Sequence, residues 1–298
     1  MNQQQKLLIT GASGFTGQHA CKHFVKSGFD VTAIVNTRAS ENKDVQIECC
    51  DLTNKDQVNN LIKKIKPHFL LHLAGQNHVG QSWLDPIASI EANSLSTAYL
   101  IDALRRQNPA CKIVVAGSAL QFNPKDISTL THPYSLSKTL QVLIAQSWAV
   151  LYDMHIVIAK PSNLVGPGFS NGVCSIFAKK IADMENKKAE KVLEVNNLNA
   201  KRDFIDVRDA VSAYETLLLK GKPGEIYDIA SGKKRSLKEI INGLQSLTSV
   251  NFELKCHSNE LIESKGETIP VELMKLGWTP AFSFETSLLD TLNFYRVI

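Results

Sequence analysis

The stretch Leu7-Leu8-Ile9-Thr10-Gly11-Ala12-Ser13-Gly14-Phe15-Thr16-Gly17 constrains the fold more than any other part of the chain. An apolar run meets three glycines set three residues apart, and a stretch with helical spacing follows at once. Glycines so placed permit a tight turn and let backbone N–H groups approach an anion, which then sits at the positive end of the helix. The chain must therefore open as strand, sharp turn and returning helix. The rhythm continues downstream. Short β-branched runs at 31–35, 45–50, 69–73, 113–116 and 156–159 read as strands, and the stretches 14–27, 55–66, 86–107 and 133–152 read as helices. The strand runs are nearly continuous in apolar character, as expected where both faces of a parallel sheet are covered. Alternation of this kind predicts an α/β fold built on a doubly wound parallel sheet with right-handed crossovers.

After Pro161 the pattern changes. Residues 162–171 are richer in Gly, Pro and Asn, and a charged helix is expected at 176–188. The sequence thus divides into a dinucleotide-type domain, 1–162, and a smaller C-terminal α/β lobe, 163–298, with segments such as 226–230 returning to the main sheet. A length of 298 residues admits one large domain or two small ones, at about 150 residues each. The balance of 33 basic against 29 acidic residues, +4 net, permits an anionic ligand without demanding one. No run of apolar residues reaches membrane-spanning length, and the N-terminus carries no secretory pattern, so a cytoplasmic chain is expected. The six cysteines lack C-x-x-C spacing and the eight histidines lack H-x-x-x-H spacing, so neither a disulfide framework nor a metal site is expected. The thiols read as small buried side chains, and His72, inside a strand run, as a core histidine. Without a basic stripe interleaved with aromatics, nucleic-acid binding is not expected.

The spacing G-x-x-G-x-x-G is one residue wider at its first gap than the Rossmann fingerprint, and it reads as a pyrophosphate cradle: Gly11, Gly14 and Gly17, with Phe15 and Thr16 opening the helix. The adenine ribose should be read about 20 residues further on, at Val35-Asn36-Thr37-Arg38. No carboxylate stands there to take a 2′-hydroxyl. Arg38 either pairs with a 2′-phosphate, which favours NADP over NAD with Asn36 beside it, or is a solvated loop cation. Asp51, followed by Leu52, either reaches the adenine amino group or opens the next helix.

Tyr134 and Lys138, at i and i+4, share one helical face. An ammonium near a phenol favours the phenolate, so a lowered Tyr134 pKa is expected. Ser118 ends the fifth strand run, at the carboxyl edge where open α/β sheets bind ligands.

Together with Leu73-Ala74-Gly75, Asn93 and Pro161-Ser162-Asn163-Leu164-Val165-Gly166-Pro167-Gly168, these residues resemble the extended short-chain dehydrogenase/reductase family over nearly the whole chain. The resemblance implies a nucleotide-sugar enzyme. Its cofactor would lie in the N-terminal domain against Leu73, Ala74, Gly75, Asn93, Tyr134, Lys138 and Pro161. The nucleoside diphosphate would lie under the C-terminal lobe, with Ser118, Leu120, Asn163 and Arg202 toward the substrate. Asn93 would be the family's tetrad asparagine, or equally a helix-interior amide bonding backbone. Segments 194–209 and 224–232 resemble those of GDP-4-keto-6-deoxy-D-mannose reductases. By that likeness Arg202 would fork onto the diphosphate; the alternative is a surface pair with Asp203. Asp206 and Asp209 are expected to cap the following helix.

Ser118 is followed by Ala119 and Leu120, neither able to transfer a proton. The family's 4,6-dehydratases carry an Asp-Glu pair after a threonine here, and its fucose-type epimerase/reductases carry a cysteine at the place of Leu120. What remains is hydride transfer with proton delivery from Tyr134, and the resemblance implies NADPH-dependent reduction of an NDP-4-keto-6-deoxyhexose at C4, with Ser118 on the carbonyl and Lys138 tuning Tyr134 and holding the nicotinamide ribose. Phe122-Asn123 stands where the family often has tyrosine-glycine, which points to a sugar unlike the mannose type. A redox-neutral C4 epimerase holding NAD would need the same Ser118, Tyr134 and Lys138, and a non-catalytic dinucleotide sensor shares the fold. Family members dimerise through the two long helices, so a homodimer is expected.

Overall fold

The computed structural model describes residues 5–36, 45–258 and 266–298. The opening turn lies between β1 (Lys6–Thr10) and α1 (Phe15–Lys26), and β2 (Asp30–Val35), β3 (Gln46–Cys49), α2 (Lys55–Ile65) and β4 (Phe69–His72) follow. Asn54 starts α2 by accepting the N–H groups of Asp56 and Gln57, and Lys66 ends it in the left-handed conformation, φ 49°. A short α3 (Val79–Leu84) precedes α4 (Pro86–Ile90), a π-helical turn (Glu91–Leu95) and α5 (Ser96–Gln107). The sequence predicts one uninterrupted helix over 86–107. The π turn breaks it because consecutive residues, Asn93 and Ser94, both turn to the buried side and bond the same residue, Ser137. Regular α-helical neighbours diverge by about 100° and do not share a partner so readily.

The rest of the first half is β5 (Lys112–Ala116), α6 (Pro133–Leu151) and β6 (Ile156–Pro161). Beyond it come β7 (Asn163–Val165), α7 (Val173–Glu185), β8 (Val192–Asn197), β9 (Lys201–Asp206), α8 (Val207–Lys220) and β10 (Ile226–Ile229). The chain ends with β11 (Lys234–Ser236), α9 (Leu237–Gln245), β12 (Glu253–Ser258), α10 (Val271–Lys275) and α11 (Phe284–Arg296).

Seven strands form one sheet in the order β10-β6-β5-β4-β1-β2-β3, parallel at every pairing from β6 to β3. The order reverses at β1, and the doubly wound Rossmann arrangement places its ligand crevice at such a switch point. The chain divides into two units: residues 1–161, 211–227 and 275–278, and residues 162–210, 228–274 and 279–298. The core of the first packs Leu8, Ile34, Leu70, Leu100, Ile113 and Ile158 between sheet and helices. That of the second packs Phe177, Ile181, Phe204, Ile240, Leu244 and Leu288. The second unit holds a three-stranded sheet, β11-β9-β7, and a parallel pair, β12-β8.

Asp206 does accept the Arg208 N–H at 2.8 Å at the start of α8, but Asp209 accepts the Ala281 and Phe282 N–H groups. Those two bonds tie the loop before α11 to the first turn of α8. The thiols of Cys21, Cys50, Cys111 and Cys174 are buried, but Cys49 is exposed because β3 is the edge strand of the sheet. Among the described residues no helix is long and apolar enough to cross a membrane.

The opening turn gives the first test. A Cβ on Gly17 would run into the Gly11 carbonyl and lie 2.6 Å from Ala12 Cα. Gly17→Ala should cost about 1–3 kcal/mol and lower the thermal midpoint by several degrees; an unchanged midpoint in a calorimetric scan would show that the turn relaxes freely.

Candidate active site

Gly11 adopts φ 66°, and a Cβ there would stand 2.8 Å from the Ala74 nitrogen, so the loop after β4 leans directly on the turn after β1. Gly14 starts α1 with no side-chain cap, and the first turn of α1 carries no acidic residue. The N–H groups opening α1 at Phe15 and Thr16 are thus presented from a glycine surface to an approaching group. An uncapped, acid-free helix N-terminus over three glycines is the donor set that a pyrophosphate requires, so the residues fit a dinucleotide.

Asp51 does not open α2; that place is taken by Asn54. The Asp51 carboxylate accepts the N–H and hydroxyl of Thr53, at 2.9 and 2.7 Å, and shapes the turn leading to the cap. Leu52 packs on the core of the first unit. Asn36 is exposed at the end of β2, and Arg38 lies outside the described residues.

Tyr134 sits in the first turn of α6. His132 caps that helix through Nδ1, which accepts the Ser135 N–H at 2.9 Å, and Pro133 occupies the first turn, where no intrahelical donor is needed. The Tyr134 N–H is taken by the Ser82 hydroxyl of α3 at 3.0 Å. Ser82 is not visible in the sequence because a six-residue helix is too short to show a period. Tyr134 and Lys138 are each 7% exposed and Ser118 9%, and the Ser118 hydroxyl lies near enough to the Tyr134 phenol to favour its charged form slightly.

Electrostatics at this pair run against the expected direction. Burial pushes the Tyr134 phenol up, only partly opposed by the nearby Ser118 hydroxyl. Burial takes the Lys138 ammonium from 10.5 down to about 7. Desolvation penalises both charged forms at once, so the lysine does not draw the phenol toward phenolate. Tyr134 therefore keeps its proton at neutral pH. Lys138 Nζ donates to the Ala116 carbonyl at 2.7 Å, which aims it at the end of β5.

Asn93 is fully buried. Its Oδ1 accepts the Gln76 N–H at 2.8 Å, and its Nδ2 donates to the Gln76 carbonyl at 3.0 Å and the Ser137 hydroxyl at 2.8 Å. A Cβ on Gly75 would come within 2.5 Å of Asn93 Oδ1, so this glycine is what lets the amide approach the loop. Leu73 and Ala74 give their N–H groups to Thr10. The Pro161 carbonyl accepts the Ala119 N–H at 3.3 Å. Leu120, 44% exposed, stands beside Ser118, whose hydroxyl accepts the Leu120 N–H at 3.1 Å.

In the second unit, Asn163 Nδ2 donates to the Asp203 carbonyl at 2.9 Å. The Arg202–Asp203 surface pair, the alternative reading, is not formed. Asp203 is buried and accepts from the Ser162 and Ser231 hydroxyls and the Ser231 and Lys233 N–H groups. Arg202 is exposed, directly across from Arg235 of β11, and makes no ion pair among the described residues. No group of three His, Cys, Asp or Glu among those residues is arranged to hold a metal.

A doubly wound sheet with a glycine cradle after β1 and a buried Ser–Tyr–Lys set beyond β5 defines a dinucleotide-dependent oxidoreductase scaffold of the short-chain type. The chain belongs to the NAD dependent epimerase/dehydratase family, whose profile matches residues 7–230. Members of this extended short-chain group are nucleotide-sugar reductases, dehydratases and epimerases that use NAD(P). GDP-6-deoxy-D-mannose reductase of Pseudomonas aeruginosa is 27% identical over 304 residues, covering 97% of this chain and 96% of the relative. The dTDP-glucose 4,6-dehydratase of Escherichia coli is 25% identical, covering 97% and 93%. Among solved structures, RMD from Pseudomonas aeruginosa complexed with NADPH superposes with a TM-score of 0.84 at 25% identity, over 99% of this chain and 98% of that one. The UDP-glucose 4-epimerase of Thermus thermophilus, complexed with NAD, shares the fold at TM-score 0.82 and 21% identity, over 98% and 99%.

Lys138 carries a stability prediction. From pH 7 to 10.5 the unfolded chain holds a proton that the folded lysine has released, so stability should rise with pH across that window. Lys138→Met should remove this rise and stabilise the protein at pH 7 by a few kcal/mol, because each tenfold change in proton affinity is worth about 1.4 kcal/mol. Urea denaturation at pH 7 and 9 measures both; an equally steep rise in the variant would contradict the assignment.

Proposed function

We propose that the protein reduces the C4 keto group of an NDP-4-keto-6-deoxyhexose with NADPH, a GDP-sugar being favoured. The observation that carries this reading is the Ser118–Tyr134–Lys138 set, with a protonated phenol and no proton-transferring side chain at Ala119 or Leu120. NADPH supplies the hydride when bound. Gly11, Gly14, Phe15, Thr16 and Gly17 would hold its pyrophosphate, with Asn36, Arg38, Asp51 and Leu52 toward the adenosine, and Leu73, Ala74, Gly75, Asn93 and Pro161 along the nicotinamide half.

The Ser118 hydroxyl bonds the substrate carbonyl and orients it. As negative charge develops on that oxygen, Tyr134 donates its proton, a step for which a raised phenol pKa is the right starting state. Lys138, with a pKa near neutrality, takes up a proton from solvent as the phenol gives its own to the substrate oxygen, and the resulting positive charge limits the cost of the phenolate. Leu120 contributes only an apolar wall, so no base removes a proton next to the keto group. Asn163 and Arg202 would serve the sugar and its diphosphate. In this reading residues 1–162 form the cofactor domain and 163–298 the substrate lobe of a cytoplasmic enzyme. The similarity to a GDP-sugar reductase supports the base, and the NADPH in its structural relative supports the cofactor. Ile87, Leu95 and Leu143, exposed on α4, the π turn and α6, support a dimer formed through the long helices.

Incubation with NADPH and a panel of GDP-, UDP-, dTDP- and CDP-4-keto-6-deoxy sugars should show loss of nicotinamide absorbance with one of them. Tyr134→Phe should slow that reaction about 10²–10⁴-fold while still binding NADPH in a fluorescence titration. Tightly bound NAD in the purified protein, with interconversion of C4 epimers and no NADPH oxidation, would replace the reductase with an epimerase. Light scattering at micromolar protein should give twice the chain mass; a monomer would remove the dimer.

A further inference from the structure

A series of hydrogen bonds links the turn after β1 to the first turn of α6, and the buried His72 lies at its centre. Thr10 at the end of β1 and His72 at the end of β4 are register partners in neighbouring parallel strands, so their side chains rise on the same face. Thr10 Oγ1 accepts the N–H groups of Leu73 and Ala74 at 3.2 and 3.1 Å and lies 2.7 Å from His72 Nδ1. On the other edge of the ring, His72 Nε2 lies 2.8 Å from Thr97 Oγ1 of α5. Thr97 also accepts from Gln141 Nε2 at 3.0 Å and donates to the Asn93 carbonyl at 2.6 Å. Asn93 Nδ2 in turn donates to Ser137, whose hydroxyl donates to the Tyr134 carbonyl at 3.0 Å.

Counting hydrogens fixes the direction of every bond. With two N–H groups already on Thr10 Oγ1, its own hydrogen goes to Nδ1. Thr97 spends its hydrogen on Asn93, so Nε2 must carry one and give it to Thr97. Both edges of the ring are thereby used only if the imidazole is neutral and protonated on Nε2. Full burial, assisted by the Lys138 charge, pushes His72 down to about 3 and agrees. The hydrogens point one way from the loop after β4 to the Asn93 carbonyl, so each of these bonds polarises the next, and the Asn93 side-chain amide then continues separately to Ser137 and the first turn of α6.

We propose that His72 is a positioning residue: it locks the dinucleotide cradle after β1 to the Asn93 turn and to the helix that presents Tyr134, so that cofactor seating and phenol placement are set together. The proposal rests on the oxidoreductase reading above. An imidazole suits the task because its acceptor and donor lie on opposite edges and span two elements, whereas an amide carries both at one end.

Thr10→Val and Thr97→Val each remove one hydroxyl with little change of volume, and Thr10→Ser and Thr97→Ser keep the hydroxyl. NADPH affinity is read by fluorescence titration without any sugar, which separates this test from the choice of substrate. Each valine variant should weaken NADPH binding roughly three- to tenfold, and each serine variant should restore it. The double valine variant should lose no more than the weaker-binding single one, because the link through His72 is already cut. Where a reducible sugar is known, Thr97→Val should lower kcat with KM nearly unchanged. Multiplicative losses in the double variant, or wild-type affinity in Thr97→Val, would overturn the proposal while leaving the reductase reading intact. A wild-type protein that binds no dinucleotide would overturn both. Circular dichroism melts of all five variants show whether they are folded at the temperature of titration.

Discussion

Backbone meeting backbone at the end of β1 is the constraint around which the first unit is arranged. The turn after β1 is pressed so closely against α1 on one side and the loop after β4 on the other that no Cβ fits at Gly11 or Gly17. That closeness follows from strand order, since β4 returns to lie directly beside β1. It also demands that polar groups at the strand ends find partners in a space too tight for solvent. Thr10 satisfies two N–H groups of the β4 loop at once, and His72 carries the bonding onward. The glycines are thus required by the protein's own packing, and in the proposed reading the same surface also admits a phosphate.

Burial decides the chemistry of Tyr134 and Lys138 in the same way. A phenol and an ammonium held in water would favour the charged pair, but desolvation at this depth favours the two neutral forms. In the proposed reduction a proton donor needs its proton at the outset, and a lysine poised near neutrality would readily take up a solvent proton once the phenol has given its own away. The cost falls on stability, because the folded state must suppress the charge of Lys138 at neutral pH.

Much of this was legible in the sequence. The six strand runs and four long helical stretches were visible because parallel strands covered on both faces read as apolar runs, and the helices between them keep a regular period. The cradle glycines and the Tyr134/Lys138 spacing were visible for the same local reason. What was hidden depends on contacts distant in sequence. The π turn exists to bring Asn93 and Ser94 to Ser137, more than forty residues away. Ser82 matters only because α6 starts where its hydroxyl lies. The direction in which the Tyr134 pKa moves required the depth of burial, which i and i+4 spacing does not report. The division of the chain after Ala210 and again after Tyr227 leaves no mark in composition, since one helix runs through the first of these points.

Arg202 and Asp203 show how misleading adjacency can be. Neighbours of opposite charge look like a salt bridge on paper, but successive residues of a strand point to opposite faces. Asp203 is drawn into a buried set of serine hydroxyls and backbone N–H groups that holds Ser162 and the loop at Ser231. Arg202, on the other face, has Arg235 across from it, and Arg235 is stacked 4.2 Å over the Phe284 ring. Like charges directly opposite across two strands repel. The loss is tolerable because cation–π stacking and the Asp203 bonds hold the pair of strands in register, and an anion lying against Arg202 would relieve it. A segment that spends its acid on its own backbone and leaves its guanidinium exposed is therefore suited to a phosphate-bearing ligand, which is the physical content of the role proposed for Arg202.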